Sequence, residues 1–130
     1  MRTHAVAFLK AHHARKMKMN TVNPFFLYLP FQNIHGPHDA PLSFVNLYEN
    51  RTDLNFDEKV LFGYISEMDD VVGSVVEVLR DTKEYENTLI IFSSDNGAVS
   101  LICSFCFLLL IFLFFNFTNI TFFWILFFFF

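Results

Sequence analysis

Residues 55–97 read NFDEKVLFGYISEMDDVVGSVVEVLRDTKEYENTLIIFSSDNG, and the fold turns on them. Leu61, Ile65, Met68, Val72, Val75 and Leu79 recur at three- and four-residue spacing, which predicts one long helix over 57–82 with a single buried stripe. Asn55 followed three places on by Glu58 has the form of a capping box, and Asp57 and Glu58 suit the positive end of that helix. Glu67, Asp70, Glu77 and Arg80 fall largely off the stripe. Asp69 and Asp70 would point about 100 degrees apart, so they read as solvated helix surface rather than a metal pair. A polar turn over 83–87 leads into TLIIF (88–92), a continuous apolar run of the kind a buried parallel strand shows.

On the other side of the helix, Asn23-Pro24 punctuates the chain and FFLYL (25–29) is a second such run, which Pro30 is expected to limit. QNIHGPHDAP (32–41) is a loop rich in Gly, Pro and His. Residues 42–54 have no clear period and include Asn50-Arg51-Thr52, an N-glycosylation acceptor if the chain enters the secretory path. Strand, loop, helix, strand is a βαβ unit with a right-handed crossover. Its two strands run the same way, so His35 and the pair Asp95 and Asn96 are expected at one carboxyl edge, where open α/β sheets bind ligands. Asp95 and Asn96 offer hard oxygen donors suited to Ca²⁺ or Mg²⁺, and Gly97 permits a sharp turn there. Asp-Asn-Gly is also a common turn, and His35 also suits a plain surface loop, with His38 beside it able to serve as well.

Composition divides the 130 residues in two. All 22 charged residues lie at or before Asp95, whereas 12 of the 20 Phe lie after Val99. A unit over 1–98 is thereby set apart from an uncharged Phe-rich tail over 99–130, and a uniform domain, a disordered chain and a repeat protein are excluded. The first 20 residues carry five Lys/Arg and no acid, against four Lys/Arg and thirteen acids in 21–98. An acidic body argues against nucleic acid as partner. The apolar stretch 5–9 is too short for a secretory signal, since Lys10, His12 and His13 interrupt it. A helix on the outside of the sheet is preferred there to a mitochondrial transit peptide.

Three segments taken together, FFLYLPFQNIHGPHDAP, GYISEMDDVVGSVVEVL and NTLIIFSSDNGA, closely resemble the sulfatase family, and within it the arylsulfatase B-like branch. The resemblance covers about residues 3–97. It implies an α/β fragment of an alkaline-phosphatase-like domain: a βαβ unit of a mostly parallel sheet, followed by the apolar tail. It further implies that Asp95 and Asn96 ligate calcium, that His35 contacts the sulfate group, and that the substrates are sulfate esters, chiefly of sulfated glycosaminoglycan sugars. A lysosomal or secreted location follows from the same resemblance. The family's formylglycine nucleophile arises from Cys/Ser-x-Pro-x-Arg, and that motif is missing here, as are the paired N-terminal aspartates of the metal site. The chain therefore looks like a middle section of a sulfatase, inactive by itself. A membrane-anchored chain that keeps part of a cation site without catalysis is the alternative.

The tail is long enough to span a bilayer, with 101–126 the membrane candidate, yet no Lys or Arg flanks it and Asn116, Thr118, Asn119 and Thr121 cluster near its middle. Phe, Leu, Ile and Val, which share a second-position thymine in their codons, supply 23 of its 32 residues, as translated T-rich noncoding sequence would. A soluble core element is the third reading. Cys103 and Cys106 form a Cys-x-x-Cys with neither a redox context nor a second ligand pair.

Overall fold

The computed structural model describes residues 1–20, 23–33, 35–37, 39–94 and, for the backbone, 123–129. In chain order these form α1 (Arg2–Met19), β1 (Phe26–Phe31), the short α2 (Leu42–Val45) continued by a 3-10 turn, α3 (Phe56–Asp81), β2 (Thr88–Ser94) and β3 (Phe123–Phe129). The expectations for 95–122, including Cys103 and Cys106, lie outside the described residues.

Helix α3 starts where its capping box predicts. Asn55 Oδ1 accepts from the Glu58 amide at 3.0 Å, and the Glu58 carboxylate accepts from the Asn55 amide at 2.8 Å, so two otherwise orphaned donors are satisfied. At the other end Lys83 takes a left-handed φ of 58°. Its amide donates to Arg80 O and that of Glu84 to Leu79 O, the two bonds of a Schellman closure.

The buried face of α3 differs from the expected stripe. Val71, Val75, Val78 and Leu79 are buried, Met68 and Val72 pack beside them, and Ile65 is 38% exposed. The reason is that the helix changes partner along its length. Its second half lies on Leu29 and Phe31 of β1 and on α1, whereas its first half packs against α2. There Gly63 is buried, and a Cβ placed on it would sit 2.9 Å from Val45 N and 3.1 Å from Phe44 C. Backbone atoms cannot swing aside as a side-chain tip does. Gly63→Ala is therefore expected to destabilise the chain by about 1–3 kcal/mol through overpacking, despite the better helix propensity of Ala, and urea unfolding measures it.

The N-terminal stretch is the expected helix. Ala5 and Leu9 are buried against the core, and the basic side chains meet acids of the body. Arg2 pairs with Asp70, and Lys16 Nζ donates to Glu84 Oε1 at 2.6 Å. Both pairs join positions 68 residues apart, so α1 runs alongside α3 in the same direction. Asp70, read from the sequence as solvated surface, is partly exposed there and anchors Arg2 in a surface ion pair.

All three strands are parallel, in the order β1-β3-β2. The expected pair β1 and β2 thus shares a sheet and a direction, but β3 lies between them. Its FWILFFF sequence suits a central parallel strand, which presents apolar side chains on both faces, and hydropathy alone does not separate such a strand from a membrane segment. Among the described residues no helix is long and apolar enough to cross a membrane. Pro30 does not end β1, which runs on to Phe31. Among the described strands β1 lies at the edge of the sheet, where a residue without an N–H is tolerated.

Candidate functional site

Parallel pairing fixes where the polar loops begin. Phe31, the last residue of β1, and Ser94, the last of β2, are both in register with Phe129. Two strand spacings separate them, about 10 Å. Both strands therefore end level with each other at the carboxyl edge.

From that edge the chain turns back on itself, with the His35 amide donating to Gln32 O at 3.2 Å. The imidazole is exposed, and its Nδ1 lies 2.7 Å from Gly36 O. A carbonyl only accepts, so Nδ1 carries the proton in this contact and Nε2 is left for a ligand. The Gly36-Pro37 peptide is cis.

The loop is tied to the scaffold by Asn33, a residue the sequence reading passed over. Its Nδ2 donates to Tyr64 O at 2.9 Å and to Glu67 Oε2 at 3.2 Å, both on α3. The only hint in the sequence is a side-chain amide two residues before the histidine. Beside His35 lies a cavity of about 530 Å³ lined by Gln32, His35, Gly36, Pro37, Asp39 and Tyr64. A second, of about 570 Å³, shares Gln32, Asp39 and Tyr64 with it and adds Asn33 and Glu67.

Asp95, Asn96 and His38 lie outside the described residues. Among the described residues no group of three or more His, Cys, Asp or Glu is arranged to hold a metal ion. Away from this edge, Asn50 of the glycosylation acceptor is exposed on a turn. In the same turn Arg51 donates to both carboxylate oxygens of Asp53 and holds its carboxyl down at about 2, chiefly through those hydrogen bonds.

A parallel α/β chain with a tethered histidine loop at its carboxyl edge defines a class of site. The family follows from comparison. The sulfatase family profile matches residues 5–101, and the chain belongs to the sulfatase family. It is 37% identical over 84 residues to the N-acetylgalactosamine-6-sulfatase of Sus scrofa, covering 64% of this chain and 14% of that protein. It is 34% identical over 74 residues to arylsulfatase J of Mus musculus, covering 57% of this chain and 12% of the relative. To the uncharacterized sulfatase YdeN of Escherichia coli K12 it is 34% identical over 79 residues, 58% of this chain and 13% of that one. The chain thus spans a small part of the length of the curated relatives it matches. No solved structure matches it.

Proposed function

We propose that these residues are the His35-bearing section of a sulfuric ester hydrolase whose substrates are sulfated sugars, those of glycosaminoglycans in particular. Family membership carries the reading, and the level strand ends support a single site shared by His35, Asp95 and Asn96. In this reading Nε2 of His35 hydrogen-bonds the sulfate ester as its bond to sulfur breaks, and Nδ1 keeps the ring oriented through Gly36 O. The names of the relatives, one of them an N-acetylgalactosamine-6-sulfatase, favour a sulfated amino sugar, as the arylsulfatase B-like resemblance does. A lysosomal or secreted setting fits the exposed Asn50-Arg51-Thr52 acceptor.

The test supplies what the chain lacks. Residues 25–97 are placed in the pig N-acetylgalactosamine-6-sulfatase in exchange for its matching segment. Turnover in the folded chimera that His35→Ala abolishes is the expected result, and a folded chimera without turnover removes the reading.

Calcium is the cation this reading assigns to Asp95 and Asn96. With one carboxylate and one amide oxygen, the 130-residue chain is expected to bind it more weakly than about 1 mM. Tight, stoichiometric binding in titration calorimetry, lost in Asp95→Ala, would reveal further ligands.

A further inference from the structure

Helix α1 concentrates positive charge on the side turned away from the core. The first 20 residues carry five Lys/Arg and no acid. Two of the five, Arg2 and Lys16, are engaged by Asp70 and Glu84. Lys10, Arg15 and Lys18 are exposed, and among the described residues none of them forms an ion pair. At about 100° per residue the three fall within an arc of about 140°, opposite the buried Ala5 and Leu9, and Lys10 and Lys18 stand about 12 Å apart along the axis. Ala11 and Ala14 are exposed in the same arc, so no bulky side chain separates the cations there. We propose that this face of α1 is a docking surface for a sulfated polysaccharide chain, held through Lys10, Arg15 and Lys18.

Charge complementarity selects the partner. Sulfate groups spaced along a polymer stay ionised at any physiological pH, and each one that meets a Lys or Arg releases the counterion it held, which favours binding. The field of the rest of the molecule limits what fits. Residues 21–98 carry thirteen acids against four Lys/Arg, so an anionic partner broader than the helix meets repulsion at the body. A single polysaccharide strand can keep to α1, whereas a nucleic acid duplex reaches past it. The surface is also remote from the histidine loop. Lys16 pairs with Glu84, four residues before β2 begins, which puts the C-terminal half of α1 at the amino edge of the sheet, away from His35 at the carboxyl edge. It is thus an anchor for the polymer and no part of the place where one sulfate would be attacked. The choice of a sulfated sugar polymer among narrow polyanions rests on the sulfatase reading.

Fluorescently labelled chondroitin 6-sulfate is titrated with the 130-residue chain and followed by anisotropy, with the chemically desulfated polymer and duplex DNA as comparison probes. Phosphatidylserine vesicles are a further probe, because Met17 and Met19 are exposed beside the cations and an anionic lipid surface would use them. Each cation is expected to contribute about fivefold, so Lys10→Gln, Arg15→Gln and Lys18→Gln each weaken binding by about that factor and the triple variant by about a hundredfold. Raising the salt from about 50 mM to about 200 mM weakens binding about tenfold. Lys10→Arg combined with Lys18→Arg keeps the affinity, as does Lys59→Gln on the acidic body. A folded triple variant that binds unchanged, equal binding of the desulfated polymer, or tighter binding of the DNA or the vesicles overturns the surface. Turnover in the pig-enzyme chimera without polymer binding by the chain overturns the surface and leaves the sulfatase reading standing. Charge-dependent polymer binding with a folded but inactive chimera supports the surface and removes that reading.

Discussion

Offered an aryl sulfate, the 130-residue chain is expected to show no turnover above the uncatalysed rate. Sulfate transfer in this family begins from an activated nucleophile made at the first position of Cys/Ser-x-Pro-x-Arg. The chain has four prolines, and the residues two places before them are Val22, Tyr28, His35 and Asp39, so none can carry that modification. A histidine can steady a leaving group but cannot begin the displacement. Removing the nucleophile from a catalytic set typically costs on the order of 10⁶ in rate, which leaves nothing measurable. A spectrophotometric assay on the purified chain decides it, and turnover that disappears in His35→Ala would show a second route to the chemistry.

The largest effect on stability is expected at Lys16. Glu84 is 5% exposed, its Oε1 accepts from Lys16 Nζ at 2.6 Å, and its Oε2 has no hydrogen-bond partner. His13 lies beside this pair, with its Nδ1 3.9 Å from Oε1. Lys16→Met strands a buried carboxylate, and breaking a buried pair in this way costs about 3–5 kcal/mol. Because Lys16 is a quarter exposed, the lower end of that range is expected, with a fall in Tm of more than about 10 °C by calorimetry. Adding Glu84→Leu should recover much of the loss, since the double variant leaves no unpaired charge. A double variant no more stable than Lys16→Met would show that the ion pair is not the source of the effect.

These anchors explain a feature of the sequence that composition could only describe. The basic N-terminus and the acidic body are complementary surfaces, with Arg2 and Lys16 meeting Asp70 and Glu84. Helix α3, its cap and the two flanking strands were legible because periodicity and capping chemistry are local. What escaped depends on partners distant in sequence. Among the described strands that of Pro30 lies at the edge, which tolerates it, and the stripe of α3 shifts where α2 packs against its first half. The register of β3 follows from no local pattern, since a run of Phe, Ile and Leu serves a strand and a membrane span alike. At the candidate site the His35 loop could be picked out from its Gly, Pro and His content, whereas Asn33 gains meaning only when Tyr64 and Glu67 are brought beside it.

The contact between Gly63 and Val45 has a consequence for how this site can evolve. Residues 32–41 leave β1 at one end and enter α2 at the other, and α2 is held against α3 by a backbone approach that only glycine allows. Both roots of the loop are thereby fixed. Residues inserted or deleted between them change the outline of the groove without moving the sheet or the helix beneath it. Loop length over 36–41 is then a variable that descendants of this fold can adjust for wider or narrower ligands while the tether at Asn33 keeps the root of the histidine loop in place.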